Sequence, residues 1–434
     1  MKPLGEFLRE HRPLWHPRAF YGLPLPWESE LPELARWLDA QPSRHGPFGD
    51  ALEWALSGPP PLRDWARAAK ALAHVDPLPH WSKRASAHTQ DVGSERASVE
   101  TQDSGSGRLT PQATAAGTDG VALSRRVLDG ITGKKQAQLL AFASVLPPLG
   151  QRPLLDWCGG KAHLGRLLAT LRGARELLVV EHDPALCRAG ERLVSAKGAF
   201  GAPGKPALKA MFHTVDALGA EARALAEAGC DAVALHACGD LHGALIEHYR
   251  GKLVAIAPCC FLRALGPDGL ATVLSAAGRD AGLRLDANDL RLVHESPSDA
   301  GRRDAAAVDR VQQFRLGFDE WLRAETGSDA YTHMPACPPQ WFALPFEDFC
   351  SRFADLGGHP KPRGALGEFE AAGVARFEAV RRRDPVRAVF RRALEVWLVE
   401  DRAQRLRERG FDVTMGTFCP EGVTPRNLMI LGRA

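Results

Sequence analysis

The chain has 434 residues, of which 45% are hydrophobic and 25% are charged, and its formal net charge is +3 at pH 7. This balance is typical of a globular protein with apolar material for two or three cores, and it excludes a disordered chain. No apolar run reaches about 18 residues, so the composition also argues against a membrane-spanning helix.

The N-terminal segment and the cysteines indicate the compartment. Residues 1–12 carry five charged side chains, whereas a secretory signal needs an apolar stretch at this position. We therefore expect a cytoplasmic protein. The nine cysteines contain no CxxC pair, which argues against a disulfide framework or a standard zinc knuckle and favours reduced, buried thiols.

Residues 1–82 are predicted to form a helical N-terminal domain. They hold six of the ten tryptophans, and apolar residues recur at helical spacing from Leu31 and from Leu62. The abundance of tryptophan is explained either by aromatic packing within this domain or by a substrate-binding surface. Residues 83–120 are rich in Ser, Thr, Gln, Gly and Asp. This composition predicts a flexible linker, because such a segment buries too little surface to offset the entropy of ordering.

Residues 121–434 alternate short apolar runs with helical patterns, which predicts an α/β domain built on a parallel sheet. A last pair of strands is joined by a turn rich in Pro and Gly, as in an antiparallel hairpin at a sheet edge. A helical insertion is expected at about 283–405. The expected strands are 153–158, 177–181, 211–215, 231–237, 253–258, 412–418 and 427–432.

The first expected strand leads into a turn of small residues. The strand contains Asp156, and the turn after it contains Cys158, Gly159 and Gly160. A helix is expected to begin near His163. In a doubly wound sheet a nucleotide lies outside the carboxyl end of this strand. Small residues let a ligand approach the backbone, and a helix N-terminus offers free N–H groups. We therefore expect the first four of these residues to contact a cofactor.

Acidic residues end the next two expected strands. Glu181 follows Gly160 by the interval expected of a carboxylate that accepts a hydrogen bond from a ribose hydroxyl. Asp216, followed by Ala217, is placed to accept one from an adenine amino group. Because an acid at a strand end is also a common helix cap, the prediction depends on all three acids occurring in order.

The turn does not match a dinucleotide-binding fingerprint. A GxGxxG pattern that began at Cys158 would need glycines at Cys158 and His163, and one that began at Gly160 has Ala162 in place of a glycine. A nucleoside cofactor has no diphosphate to cradle, so fewer glycines suffice. The pattern therefore favours S-adenosylmethionine (SAM) over NAD.

Four segments resemble class I SAM-dependent methyltransferases. The segment 156–165, DWCGGKAHLG, resembles motif I, and 236–241, HACGDL, resembles motif IV of one branch. The adjacent Cys259 and Cys260, and the segment 424–428, TPRNL, fit that branch. It is related to the methyltransferase half of the glutathione-S-transferase-C-terminal-domain-containing protein and to methyltransferase-like proteins named for a ribosomal-RNA adenine dimethylase domain. It is more distantly similar to tRNA 2′-O-methyltransferases.

The resemblance covers about 131–289 and the C-terminal end, and it leaves out residues 1–120. Cys158 and Ala162 depart from motif I, where glycines are commoner. The family also has a basic helix before motif I, which the segment 130–139, GITGKKQAQL, matches.

The resemblance implies SAM as the cofactor and a seven-stranded, Rossmann-like methyltransferase sheet. It places Lys134, Lys135 and Gln136 at the mouth of the site. The small N-terminal helical domain and the helical insertion before the last two strands would select the substrate.

Residues after the fourth expected strand are candidates for chemistry at the methyl acceptor. Asp240 and His236 could each orient or deprotonate a hydroxyl or amine, and the resemblance places His236 against the cofactor as well. The alternatives are that Asp240 caps a helix and that His236 packs beneath the cofactor. Methyl transfer needs no obligatory base, since positioning can supply most of the catalysis.

Cys259 is the third catalytic candidate. A thiolate there could attack C6 of a pyrimidine if a positive neighbour lowered its pKa. His236, Cys238, Cys259 and Cys260 also include suitable metal ligands, but their spacing matches no common zinc pattern, and no metal is assigned. Structural packing of the cysteines is the remaining alternative.

Arginines cluster on the helices expected between 376 and 409. Only 11 of the 55 basic residues are lysines, which follows either from a GC-rich genome or from recognition of phosphates and carboxylates. An outer helix face of arginines would suit RNA, whereas the acidic neighbours allow a plain solvated face. The candidates for RNA contact are Arg381, Arg382, Arg383, Arg391 and Arg392.

The sequence thus predicts a SAM-dependent methyltransferase that transfers a methyl group in line to a nitrogen or oxygen, with tRNA or rRNA as acceptor. A protein or small-molecule acceptor and a non-catalytic SAM-binding scaffold are the alternatives. A nicotinamide oxidoreductase is a further alternative, which NAD rather than SAM would stabilise.

Overall fold

The computed structural model describes residues 1–43, 51–81, 127–128, 130–195, 208–294 and 302–434. The predicted linker at 83–120 lies outside these residues. The chain divides into two compact units. Unit 1 comprises Met1–His74, Gly269–Ala271 and Ala277–Leu398, and unit 2 comprises Val75–Asp268, Thr272–Ala276 and Val399–Ala434.

Helices make up most of the described structure, and none of these helices is long and apolar enough to cross a membrane. The α-helices are α1 (Lys2–Glu10), α2 (Arg12–Trp15), α3 (Pro32–Asp39), α4 (Ala51–Leu56), α5 (Pro60–Leu72), α6 (Gly133–Ser144), α7 (His163–Arg172), α8 (Pro184–Ser195), α9 (Ala220–Glu227), α10 (Asp240–His248), α11 (Ala276–Asp280), α12 (Ala287–His294), α13 (Arg302–Thr326), α14 (Phe346–Gly357), α15 (Gly367–Ala388) and α16 (Arg391–Glu408). The strands are β1 (Leu154–Trp157), β2 (Glu176–Glu181), β3 (Lys209–Thr214), β4 (Asp231–Leu235), β5 (Leu253–Ala257), β6 (Asp412–Thr417) and β7 (Leu428–Arg433).

The described strands form one seven-stranded mixed sheet in the order β3-β2-β1-β4-β5-β7-β6. Neighbours among β1 to β5 run parallel, and β7 pairs antiparallel with both β5 and β6. The predicted α/β class and antiparallel edge pair are therefore confirmed. β1, β4 and β5 are buried at every position, which explains why they occur in the sequence as continuous apolar runs.

An apolar core in unit 2 packs α6 and α7 with the sheet. Phe142 of α6 is fully buried, and its ring centroid lies 5.8 Å from that of Phe418. Leu167 of α7, Leu177 of β2 and Met429 of β7 belong to the same buried cluster. Each such side chain contributes about 1.5–3 kcal/mol by leaving water. This packing fixes α7, and with it the turn that joins β1 to α7.

Unit 1 is mainly helical in its described residues. The helices expected near Leu31 and Leu62 are α3 and α5. α13 and α15 approach closely at Gly317 and Gly373. A Cβ atom on Gly373 would lie only 2.5 Å from the backbone nitrogen of Gly317, so the contact requires glycine. The aromatic members of the core that α13 and α14 build are Phe314, Phe318, Trp321, Phe346, Phe349 and Phe353.

Segments that the sequence analysis treats as separate regions belong together in unit 1. Arg383 of α15 donates to both carboxylate oxygens of Glu28 at 2.8 Å. Arg387 donates to the Trp15 carbonyl oxygen at 2.6 Å. The N-terminal helices and those of the insertion therefore share one unit, which differs from the ranges 1–82 and 121–434. Local sequence patterns do not reveal this, since the paired residues are 355 positions apart.

Candidate ligand-binding site at the carboxyl edge of the sheet

The carboxyl ends of β1 and β4 meet where the winding of the sheet reverses. β2 and β3 follow β1 on one side, whereas β4 and β5 lie on its other side. In open α/β sheets, ligands bind in the crevice outside the strand ends at such a point. The turns that follow β1 and β4 therefore border the crevice where a ligand is expected.

Strained backbone is concentrated in these two turns. Within the described chain, the non-glycine residues with positive φ are Cys158 and Ala162 after β1, at 55° each, and His236 after β4, at 73°. A side chain in this conformation costs about 1–3 kcal/mol and persists where the surrounding structure enforces it. Such residues cluster at ligand-binding and active sites.

Asp156 lies beneath the turn rather than in the open crevice. The residue is 1% exposed, and its Oδ2 accepts a hydrogen bond from the Gly165 amide at 2.9 Å. A Cβ atom on Gly159 would lie 2.7 Å from Asp156 Cγ, so glycine is required above the carboxyl group. Burial raises the pKa of Asp156 to about 7, against the lowering effects of the Gly165 amide and Lys135. Asp156 thus positions the turn.

Glu181 ends β2 and faces the same turn. Its Oε2 accepts a hydrogen bond from the Gly160 amide at 3.1 Å, and its Oε1 accepts one from the Asp183 amide at 3.0 Å. Gly160 has a φ of 58°, and a Cβ atom there would meet no described atom within 4 Å. A fixed carboxylate therefore lies beside open space at the backbone of the turn.

The chain after β3 presents an acid and an apolar side chain together. Asp216 is exposed, and its Oδ1 accepts a hydrogen bond from the Leu218 amide at 3.0 Å. Leu218 is 58% exposed although it is apolar, while Ala217 between them is buried. This pair could contact the polar edge and the face of a heterocyclic base.

His236 is connected to α6. Its Nε2 lies 3.1 Å from Oε1 of Gln138, so a proton on Nε2 leaves Nδ1 as the acceptor. Partial burial and the positive charges of Lys135 and Arg426 lower the pKa of His236 to about 4, and the ring is neutral near pH 7. Sequence reasoning misses Gln138, although its i, i+3 spacing from Lys135 places both on one helix face.

Cys238 and Cys259 follow the adjacent strands β4 and β5, and their Sγ atoms lie 3.5 Å apart. Hydrogen bonds from the thiols of Cys259 and Cys260, with the charges of Arg263 and Arg426, lower the pKa of Cys238 to about 6 against the effect of burial. The hydrogen bond to Cys238 and burial raise the pKa of Cys259. A thiolate is therefore favoured at Cys238 rather than at Cys259, the cysteine that the sequence singles out.

A buried polar network supports the loop after β4. His242 Nδ1 bonds the Ala237 carbonyl oxygen at 3.0 Å, and Arg402 Nε donates to His242 Nε2 at 3.4 Å. Arg402 also pairs with the buried Asp401 at 3.0 Å. Asp240 is the first residue of α10, and its charge acts on Arg402. Asp240 therefore lies near a buried arginine that no sequence motif indicates.

The arginines proposed for RNA contact have partners within the structure. Arg383 is held by the carboxylates of Glu28 and Asp39, and Arg392 pairs with Glu395 at 2.6 Å. The other three, Arg381, Arg382 and Arg391, also make interactions within the protein.

One group of side chains in unit 1 has metal-ligand spacing. Potential ligand atoms of His16, Asp286 and Asp289 lie within 4.8 Å of one another. However, Asp286 Oδ1 accepts the amides of Asn288 and Asp289, and Asp289 Oδ1 bonds His16 Nδ1 at 2.9 Å. The two amide hydrogen bonds to Asp286 cap α12, and the bond to His16 orients Asp289, so these contacts explain the group without a metal.

The structure therefore brings together at one edge Cys158, Gly159, Gly160, Glu181, Asp216, Ala217, His236 and Cys259 around the turns of unit 2, with Asp156 beneath them and Asp240 at the start of α10. The turn after β1 thus has a fixed carboxylate beside open space, and the turn after β4 presents a neutral imidazole and two neighbouring thiols. No protein-family model matches the sequence, and none of the curated proteins compared with it matches either.

Proposed function

We propose that unit 2 binds SAM at the carboxyl ends of β1 and β4 and transfers its methyl group to a nucleophilic nitrogen or oxygen. The observation that carries this proposal is the clustering of the strained Cys158, Ala162 and His236 around the reversal of winding. The strand order β3-β2-β1-β4-β5 supports a doubly wound, Rossmann-like sheet, in which nucleotides bind at this point.

The side chains along the edge fit an adenosine with a short charged tail. Glu181 would accept hydrogen bonds from the ribose hydroxyls, and Leu218 would cover a face of the adenine, with Asp216 near its amino group. The open space at Gly160 lets the amino-acid part approach the backbone. Asp156 would act indirectly, by holding the turn. When bound, SAM supplies a methyl group activated by its sulfonium.

The turn after β4 would orient the methyl acceptor. His236 keeps Nδ1 free to accept a hydrogen bond from an acceptor N–H or O–H, while Nε2 is directed at Gln138. A histidine with a pKa of about 4 suits positioning better than proton removal. Alignment is the main requirement of the reaction, and Asp240 is our candidate for receiving a proton.

We propose RNA as the class of acceptor. The support is the similarity of the segments around His236 and Cys259 to tRNA 2′-O-methyltransferases. The arginines add little to it, since Arg383 and Arg392 are occupied by carboxylates.

Glu181→Ala tests the cofactor site. We expect the SAM affinity to fall about 10-fold to 100-fold, as for a lost hydrogen bond to a charged group. Glu176→Ala is the matched control, because Glu176 lies at the opposite end of the same strand. Calorimetric titration measures both affinities. Absence of SAM binding by the unaltered protein, or equal affinities in the two variants, would contradict the proposed site.

Transfer is tested with methyl-labelled SAM, the whole protein and a lysate of cells that lack this gene. Label that nuclease releases would support RNA as the acceptor, and label that protease releases would replace it by protein. SAM binding without transfer to any lysate component would refute methyl transfer and support the SAM-binding scaffold.

A further inference from the structure

Three free thiols lie where β4 and β5 end, on Cys238, Cys259 and Cys260. The Sγ atoms of Cys238 and Cys259 are 3.5 Å apart. β4 and β5 are paired parallel neighbours, and such strands lie about 4.8 Å apart. A disulfide spans Cα separations of about 4.4–6.8 Å, a range that includes the spacing at which the two segments leave these strands.

The chain segments that carry these cysteines contact each other through the backbone. The Gly239 amide donates to the Cys260 carbonyl oxygen at 2.7 Å. Gly239 has a φ of 58°, and a Cβ atom there would lie 2.4 Å from the carbonyl carbon of Arg263. The two chain segments are therefore in direct contact, and the sulfur atoms must close from 3.5 Å to about 2.05 Å to form a disulfide.

The charges at the pair are unequal. Cys238 receives thiol hydrogen bonds from Cys259 and Cys260 and lies near the cationic Arg263 and Arg426, which together lower its pKa to about 6. The neighbouring Cys259 keeps its proton, since the hydrogen bond to Cys238 and burial raise its pKa. A thiolate beside a protonated thiol is the arrangement that oxidation to a disulfide needs.

We propose that Cys238 and Cys259 form a reversible redox site that a peroxide oxidises to a disulfide. The Cys238 thiolate attacks one peroxide oxygen, which forms an S–O bond, breaks the O–O bond and releases hydroxide. Cys259 sulfur then attacks Cys238 sulfur, which forms the S–S bond, breaks the S–O bond and releases a second hydroxide. The Cys259 proton and a solvent proton convert the two hydroxides to water. The cysteines lose two electrons, and hydrogen peroxide is reduced to two water molecules.

The site is tested on the whole protein by treatment with hydrogen peroxide, alkylation of the remaining thiols and peptide mass mapping. We expect a peptide pair joined through Cys238 and Cys259, with both thiols recovered after dithiothreitol. Absence of a link, a Cys238–Cys260 link instead, or a link that dithiothreitol does not reverse would overturn the proposal.

Two variants resolve the order of the steps. Cys259→Ser is expected to leave a sulfenic acid on Cys238, which dimedone traps, whereas Cys238→Ser is expected to prevent oxidation of Cys259. Cys337→Ser is the control, because Cys337 is partly buried in unit 1 and free, and this variant should form the same link as the unaltered protein. Trapping on Cys259 instead would reverse the assigned roles. None of these readouts involves SAM, so they stand whether or not the proposed methyl transfer is confirmed.

Discussion

At the scale of single residues, the environment of a carboxyl group decides its role at this edge. Asp156 lies one residue before the end of β1, Glu181 ends the neighbouring β2, and both are buried. Asp156 receives one amide hydrogen bond beneath the turn, whereas Glu181 receives two and lies beside the open space at Gly160. The first residue therefore fixes the backbone, and the second is available to a ligand.

Asp156→Asn is expected to change how stability depends on pH. Folding raises the pKa of Asp156 from 3.8 to about 7, so between these values the folded state binds more protons than the unfolded state. The contribution of Asp156 to the free energy of unfolding is therefore fully present below pH 3.8, and it is lost as the pH rises to about 7. Asparagine does not ionise. Above this pH range the variant therefore avoids a loss of unfolding free energy on the order of 4 kcal/mol, which the unaltered protein undergoes.

Denaturant unfolding on both sides of this pH window measures the effect. The free energy of unfolding of Asp156→Asn should rise relative to the unaltered protein as the pH increases. Asp412→Asn, at an exposed position, is the control and should follow the unaltered protein. If the free energies of unfolding of Asp156→Asn and of the unaltered protein change in parallel with pH, the pKa of Asp156 is not raised by folding.

At the scale of elements, the turn between β1 and α7 uses two adjacent glycines for different reasons. Gly159 needs the absence of a side chain, because a Cβ atom would lie 2.7 Å from Asp156 Cγ and 2.9 Å from Val179 Cγ1. Gly160 needs its backbone freedom, with a φ of 58°, and has open space at the Cβ position. Gly159 thus lets the turn pack directly against the core, whereas Gly160 leaves space beside the turn for a ligand.

Gly159→Ala is expected to destabilise the protein more than Gly160→Ala does. The first change overpacks the turn, at a cost of about 1–3 kcal/mol, and the second strains the backbone by about 1–2 kcal/mol. Only Gly160→Ala adds an atom to the open space, so it should weaken SAM binding beyond its effect on stability. Urea unfolding and calorimetry of both variants measure these effects. The reverse order of affinities would place the ligand elsewhere.

Helix α6 shows how one element connects the core with the site. Phe142 is buried in the core of unit 2, while Gln138, one turn earlier, bonds His236. Lys135 lies three residues before Gln138, and its positive charge lowers the pKa values of Asp156 and His236. Burial of one end of this face therefore positions the charge and the amide at the other end.

At the scale of the whole molecule, arginines in unit 1 connect parts of the chain that are distant in sequence. Arg376 bonds Asp319 and Glu320 as well as the Phe20 carbonyl oxygen. Arg383 joins α15 to Glu28. Arginine suits these positions, because its planar group binds carboxylates through two parallel hydrogen bonds.

Arg383→Ala is expected to lower the free energy of unfolding by about 3 kcal/mol, because it leaves the carboxylate of Glu28 buried without its partner. Arg67→Ala is the matched control, since its pair with Asp64 is exposed, and such pairs contribute at most about 1 kcal/mol. SAM affinity should stay unchanged in both variants, because the residues proposed to bind SAM belong to unit 2. Equal stabilities of the two variants would refute the structural role of Arg383.

The elements of the sheet and the acids near its edge can be predicted from local sequence patterns. Buried parallel strands need continuous apolar runs, so β1, β2, β4 and β5 can be predicted from the positions of such runs. Asp156 and Glu181 follow from the same runs, since a polar residue marks where a buried strand ends. The α/β class, and the edge at which the parallel strands end, could therefore be predicted from local patterns, whereas ligand binding at that edge stays a prediction.

Which residues meet at that edge, and which have partners elsewhere, depends on the packing of segments that are distant in sequence. His236 and Gln138 are 98 positions apart, and Arg383 and Glu28 are 355 apart. Cys238, rather than Cys259, has the lowered pKa because of neighbours from other segments. A sequence pattern reports the burial and backbone preference of a residue among its near neighbours. Charge, hydrogen bonding and pKa depend instead on distant groups that folding brings within a few ångströms.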